Sequence, residues 1–128
     1  MLHCQSPESM LLNQEFPVSI EAQILGGDGT SERSTGNLCT PGTNVVMDGK
    51  LITNHCINSN SKTYHGDQWI TAEFVVLGDQ VVHHILEGDT VLTYHDLQIG
   101  GGSIPEGFPM EVGAKLGKGY IAIQSETH

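Results

Sequence analysis

The chain has 128 residues, the size of one ordinary domain, and carries 5 Lys and Arg against 15 Asp and Glu, a net charge of −10. A surface this acidic repels phosphate backbones and anionic lipid heads, so we expect neither nucleic acid nor a membrane as a partner. With 38% apolar residues and 16 Gly, the composition favours a loop-rich globular domain over residues 1–128. The first residues lack a basic region followed by an apolar one, so no export signal is expected here and localisation stays open.

The first half of the chain predicts one helical turn and three strands. Ser6 is a candidate cap and Pro7 a candidate first residue of the turn. A half-buried strand follows, because polar residues alternate with the apolar Val18, Ile20, Ala22 and Ile24. The Asp48-Gly49 pair, which tolerates positive φ at both turn positions, predicts a hairpin between 44–47 and 50–53.

The second half predicts four more strands. Residues 69–77 form one, and a hairpin joins 81–86 to 91–94 through a Gly88-Asp89 turn. Residues 119–126 form the last. The long connections are 26–43, 55–68 and 96–119. This succession of short strands predicts an all-β fold, an antiparallel β-sandwich or jelly roll, with binding in its long loops.

Three apolar residues of the 69–77 segment raise separate expectations. Trp69 begins the strand, so we predict that it packs in the core, with sugar stacking as the alternative. Val75 and Leu77 lie on the face opposite the apolar side, where water would otherwise meet them. We therefore expect a partner surface to cover them.

The cysteines predict a disulfide. Extending the register of the hairpin at Asp48-Gly49 places Cys39 one diagonal step from Cys56, and a single bulge would bring them within bonding distance. The alternative is a pair of buried free thiols. Cys4 is predicted to be free.

Two kinds of site are not expected. A structural zinc site is excluded because the chain has no Cys-x-x-Cys spacing and adjacent His83 and His84 point to opposite faces of a strand. A phosphate loop at 24–29 is excluded because no helix pattern and no Gly-Lys-Ser/Thr follow it.

In the second hairpin, His84 is expected opposite Thr93 and diagonal to His95. The two imidazoles would then form a ligand-binding patch, and the alternative is a pair of ordinary surface histidines.

Polar side chains project from one face of two predicted strands. Gln124, Glu126 and His128 alternate along the last strand, and Glu21 and Gln23 do the same on the first. Carboxylates, amides and an imidazole suit both sugar recognition and acid–base chemistry. The alternative is the ordinary solvated face of an antiparallel sheet.

Over its whole length the chain resembles the 3-keto-disaccharide hydrolase domain family, formerly a domain of unknown function. The closing Gln-Ser-Glu-x-His at 124–128 is the most specific motif. The resembling segments are 3–10, 16–23, 36–43, 61–69, 84–88 and 119–128. The resemblance implies a concanavalin A-like sandwich with a carbohydrate ligand on its concave sheet. It also implies an extracytoplasmic bacterial location.

The resemblance implies roles for specific residues. Glu126 or His128 would remove a proton beside the ketone, and Glu21 would protonate the leaving group, which makes these three the catalytic candidates. The candidate substrate-binding residues are Gln23, Gln124, His84 and Lys62. A divalent metal or Lys62 would polarise the enolate oxygen, and no other cofactor is implied.

Relatives usually have further strands before Met1 and after His128, so the resemblance implies a sandwich truncated at both ends. Unpaired sheet edges, together with exposed Val75 and Leu77, predict a homo-oligomer. Whether the domain is an enzyme stays open. The alternatives are a non-catalytic carbohydrate-binding module and a self-assembling truncated sandwich without a working site.

Overall fold

The computed structural model describes residues 1–125 and contains two antiparallel sheets, which confirms the prediction of an all-β fold. The elements are a 3-10 turn at Pro7–Ser9, β1 (Glu21–Gln23), β2 (Asn37–Cys39), β3 (Thr43–Met47), β4 (Lys50–Ile52), β5 (Cys56–Ile57), β6 (Ala72–Leu77), β7 (Val81–Leu86) and β8 (Asp89–Ile99). One sheet has the order β1-β2-β5 and the other the order β4-β3-β8-β7-β6. Residues 1–125 include no helix with the length and hydropathy of a membrane span.

The first hairpin and the early helical turn agree with the sequence. Met47 lies opposite Lys50, and the turn residues Asp48 and Gly49 have φ values of 49° and 72°. Positive φ at both central positions is the geometry that this dipeptide favours. The turn after Ser6 is present, but the Ser6 side chain forms no capping hydrogen bond.

The second hairpin turns one residue earlier than predicted. Glu87 and Gly88 occupy the turn with φ values of 50° and 87°, and Leu86 lies opposite Asp89. Glycine thus takes the second central position, as it does in Asp-Gly and Asn-Gly turns. The new register, with a shift after His84, places His84 opposite Leu92 and contradicts the predicted pairing with Thr93.

The hydrophobic core lies between the two sheets. Leu38 of β2 packs in one cluster with residues of the larger sheet, of which Val45, Val82 and Tyr94 are fully buried. Trp69 contradicts its predicted place in this core, because its side chain is fully exposed. β6 begins three residues later, at Ala72, so Trp69 precedes the alternation that turns apolar side chains inward.

The structure also differs from the sequence prediction in its short strands. β2 and β5 lie inside segments that were expected to be connections, and β8 continues to Ile99. The predicted last strand is reduced, in its described part, to an isolated bridge between Cys4 and Tyr120. Runs as short as β2 and β5, of three and two residues, give too little periodicity to be recognised as strands.

Candidate functional site

A cleft of about 360 Å³ opens where β1, the start of the chain and segment 121–124 meet. We call it the Glu21 cleft. It combines three polar side chains, Glu21, Gln23 and Gln124, with a mainly apolar remainder. The other lining residues are Met1, Leu2, Ala22, Ile24, Leu25, Phe74, Ile121, Ala122 and Ile123.

β1 brings Glu21 and Gln23 to the same side of the sheet. They flank Ala22, and side chains two residues apart on a strand share a face. Glu21 lies opposite Cys39 of β2, which in turn lies opposite Cys56 of β5. Cys39 and Cys56 form a disulfide, with the two Cα atoms 4.1 Å apart. They pair directly, without the diagonal step expected from the hairpin register. A covalent link therefore ties β2, the neighbour of the strand that carries Glu21, to β5.

The start of the chain forms a spacer between β1 and segment 121–124. On one side, the Leu2 amide donates to Ile20 O at 2.6 Å, and the Ile20 amide donates back at 2.9 Å. On the other side, the Met1 nitrogen donates to Ala122 O at 2.8 Å. These backbone bonds position the wall that carries Gln124.

Gly119 permits the close approach of this wall. A Cβ atom added there would lie 2.4 Å from the carbonyl carbon of His3, a separation that real Cβ atoms essentially never show. The mutual backbone bonds of Cys4 and Tyr120, both 2.9 Å, lie beside this contact. The site thus depends on a glycine whose role cannot be recognised from periodicity.

His84 lies behind the cleft and does not line it. Its side chain is completely buried, and its ring meets that of Phe74 edge-on with the centroids 5.0 Å apart. His84 Nδ1 donates to Gly36 O at 2.7 Å, because a carbonyl can only accept. The neutral ring then accepts at Nε2 from the Tyr94 hydroxyl at 2.9 Å.

Burial determines the charge state of His84. Loss of solvent lowers the pKa of His84 below its ordinary value, although the hydrogen bond to Gly36 O opposes this shift. Burial likewise raises the pKa of Tyr94 far above its ordinary value. The pair is therefore a neutral, hydrogen-bonded support behind Phe74. The surface patch with His95 that the sequence allowed is not formed.

Lys62 lies in a different place from the Glu21 cleft. It lines a second opening, of about 490 Å³, that we call the Arg33 hollow. Its Nζ atom stands 5.0 Å from the centre of the Tyr64 ring. The residues that line the Arg33 hollow are Glu32, Arg33, Ser34, Asn58, Ser61, Lys62, Thr63 and His65.

Of the predicted site residues, the structure brings Glu21, Gln23 and Gln124 together. Glu126 and His128 lie outside the described residues. The apolar wall, including Phe74, was missed because its residues follow the same alternation as core residues. Residues 1–125 contain no group of three or more His, Cys, Asp or Glu side chains able to hold a metal ion.

One protein-family model matches residues 1–128, the whole chain, and describes a 3-keto-alpha-glucoside-1,2-lyase-like domain. The chain belongs to this family. Comparisons with curated proteins and with solved structures found no match. Membership of the 3-keto-alpha-glucoside-1,2-lyase-like family confirms the resemblance noted in the sequence.

Proposed function

We propose that the chain is a glycoside-processing domain that acts on 3-keto-glycosides in the Glu21 cleft. Family membership supports the substrate class. The observation that carries the proposal is that Glu21 and Gln23, near one end of the chain, share a cleft with Gln124, near the other. A mainly apolar cleft with a few converging polar groups is the usual form of a small-molecule site.

The chemistry follows from the ketone at C3 of the sugar. That ketone acidifies the proton on C2, so a base can remove the proton and leave an enolate. The electron pair then forms the C1–C2 double bond as the bond from C1 to the glycosidic oxygen breaks. Protonation of that oxygen releases an alcohol and an unsaturated ketone. Addition of water across the C1–C2 double bond, with the oxygen on C1 and a proton on C2, completes a net hydrolysis, whereas release of the unsaturated ketone completes a lyase reaction.

Glu21, Gln23 and Gln124 are assigned to these steps by their place in the cleft, and Glu126 and His128 by the family resemblance. Glu21 protonates the departing oxygen, and Glu126 or His128 removes the C2 proton. Gln23 and Gln124 hold the sugar hydroxyls and the keto oxygen through their amide groups. Lys62 takes no part in this assignment, because it lies in the Arg33 hollow.

The apolar wall of the cleft suits the carbon–hydrogen faces of a pyranose ring. Phe74 contributes an aromatic surface, and Ile121 and Ile123 contribute aliphatic surface that is largely exposed in the free domain. Covering such surface with a sugar ring removes it from water, and this contributes to binding. The polar groups then determine the orientation of the sugar.

Turnover of the 3-keto form of an α-linked glucose disaccharide tests this proposal, with the released sugars measured by chromatography. We expect Glu21→Gln to lower kcat about 10²- to 10⁴-fold, the usual contribution of a general acid or base. Glu106→Gln removes an exposed carboxylate outside the cleft and is the matched control. Full turnover by the Glu21 variant would contradict the assignment.

The route can be tested in heavy water. Elimination followed by addition of water places deuterium at C2 of the product, whereas direct displacement at C1 leaves that position unlabelled. Substrate incubated without protein corrects for spontaneous exchange beside the ketone. A product without excess deuterium would contradict an elimination in which the proton taken from C2 exchanges with solvent. Whether Glu21 is needed for turnover is decided separately, by the kcat measurement.

The alternative is a non-catalytic carbohydrate-binding module, and one observation favours it. Among the described residues that line the cleft, Glu21 carries the one ionisable side chain, and the other polar side chains are the neutral amides of Gln23 and Gln124. Calorimetry with the disaccharide, alongside the turnover assay, separates the two functions. Binding that Gln23→Ala weakens, without product formation, would establish the module.

A further inference from the structure

We propose that the Arg33 hollow is a binding site for an anionic group, namely a sulfate, a phosphate monoester or a carboxylate. The distribution of charge gives the first argument. The chain has 15 acidic residues and only 5 Lys and Arg, yet Arg33, its one arginine, and Lys62 line the same hollow. On a surface that repels anions overall, two cations at one opening create a local region that attracts them.

Arg33 is held in place by its neighbours. Its side-chain Nε donates to the carbonyl of Gly26, and its backbone amide donates to Thr63 Oγ1 at 2.8 Å. Since Nε is used in this way, the two Nη groups remain as the fork with which arginine binds oxyanions. An anchored fork loses less conformational entropy on binding than a mobile one.

His65 supplies a further donor. The Gly29 amide donates to His65 Nδ1 at 3.0 Å, so the proton of the neutral ring lies on Nε2, where it can be donated to a ligand. Gly27 permits this arrangement, because a Cβ atom added there would lie 2.2 Å from Nδ1. The loop therefore fixes both the position and the tautomer of the imidazole.

Lys62 supplies the second full positive charge. Within residues 1–125 it forms no ion pair, whereas Lys115 is bound to Asp96 at 2.9 Å. The face of the Tyr64 ring holds the ammonium group without neutralising it. Glu32 also lines the hollow and opposes an anion. Two fixed cations and the His65 donor therefore face one carboxylate.

The hydroxyl groups of the hollow support the choice of ligand. Ser34 Oγ donates to Asn37 Oδ1, and Ser61 Oγ donates to the carbonyl of Thr35, so the protons of these hydroxyls are already used. The donors that remain belong mainly to nitrogen atoms. Several convergent N–H groups match a ligand with several oxygen acceptors and negative charge.

The anion has two chemical sources, a free ion or a charged substituent on a sugar. The segment that joins the two openings bears on this point. Ile24 and Leu25 line the Glu21 cleft, while Gly26 and Gly27 contact the Arg33 and His65 side chains of the hollow. A sugar in the cleft could place an anionic substituent towards the hollow, and this second source rests on the proposed function.

The test is a titration of the full chain with sodium sulfate at low ionic strength. The resonances of the Arg33 side-chain N–H and the Gly29 amide are followed by NMR. We expect saturable shifts, and Lys62→Ala should weaken the affinity about three- to tenfold. Lys50→Ala removes the same charge from the first residue of β4, outside the hollow, and should change the affinity less than twofold. Glu32→Gln should strengthen binding.

Equal weakening by Lys62→Ala and Lys50→Ala, or shifts that do not saturate, would overturn the proposal. Glucose 6-sulfate and glucose then distinguish the two sources. Tighter binding of the sulfated sugar than of sulfate, with added shifts at the Ala122 amide, supports a sugar-borne anion. Equal affinities with no shift at Ala122 support a free anion. The sulfate result does not depend on turnover, so failure of the proposed function would leave it intact.

Discussion

Removal of the Tyr94 hydroxyl provides a sharp test of the buried support behind the cleft. Tyr94→Phe deletes the donor that satisfies His84 Nε2, 2.9 Å away, in a place where both side chains are fully buried. Water cannot replace that donor without entering the core. The variant therefore leaves a buried acceptor unsatisfied while the ring of residue 94 keeps its shape.

The expected loss of stability is about 1–3 kcal/mol, the cost of a buried polar group left without its partner. For a domain whose free energy of unfolding is about 5–15 kcal/mol, this is a substantial fraction. Tyr64→Phe is the matched control. It also removes a hydroxyl from a buried ring, but no hydrogen bond of the Tyr64 hydroxyl is formed among residues 1–125. We expect the control to change stability by less than about 0.5 kcal/mol.

The same pair predicts how stability depends on pH. Burial lowers the pKa of His84, so the folded state resists a proton that the unfolded state accepts near pH 6.5. His84 therefore contributes no penalty above that pH, and stability falls as the pH drops below it. Each tenfold difference in proton affinity between the two states is worth about 1.4 kcal/mol at full protonation.

Urea unfolding at pH 7.5, 6.5 and 5.5, followed by circular dichroism, measures both effects. His84→Gln keeps a polar side chain that cannot titrate, and we expect it to show a weaker loss of stability between pH 7.5 and 5.5. Equal stability of the Tyr94 and Tyr64 variants would refute the hydrogen bond. An unchanged pH dependence in the His84 variant would refute the effect of burial.

Three further predictions concern the elements around the cleft. Replacing Cys39 and Cys56 with serine should lower the free energy of unfolding by about 2–4 kcal/mol in urea titrations, and stability that neither this replacement nor a reductant lowers would contradict the disulfide. Gly119→Ala should weaken sugar binding measured by calorimetry, since the added Cβ would collide with the N-terminal backbone; unchanged affinity would contradict this. Val75 and Leu77 are exposed on the edge strand β6, and we expect light scattering to show that the chain is an oligomer. Replacing both residues with lysine should dissociate the oligomer, and an unsubstituted chain that is monomeric would contradict this prediction.

The parts of the fold that follow from local rules could be predicted from the sequence. The Asp48-Gly49 hairpin follows from turn geometry, and the alternating burial of β6 follows from the strand period. The second hairpin shows the limit of such rules. Gly88 can occupy either central turn position, and moving the turn by one residue moves the partner of Leu86 by two positions, from residue 91 to Asp89. The register shift between His84 and Ile85 recovers one of these positions, so that His84 lies opposite Leu92.

Burial of single residues could not be predicted, because it depends on which elements cover them. His84 and His83 are adjacent on the same strand, yet Gly36 and Tyr94 enclose only His84. Trp69 has a large apolar side chain of the kind found in cores, but it precedes Ala72, the first paired residue of its strand. Strand patterns determine which face a side chain takes, whereas the distant parts of the chain determine whether that face is covered.

The Glu21 cleft shows the same limit for function. Its polar residues on β1 could be predicted, because Glu21 and Gln23 are the polar half of an alternating strand and therefore share one face. Its apolar residues could not, because Ile121 and Ile123 have the same period as residues packed between sheets. Their exposure depends on segment 121–124 pairing with the start of the chain at an edge, where no second sheet covers it. Exposing an apolar wall to water at such an edge costs free energy. A bound sugar ring would reduce that cost by covering the wall.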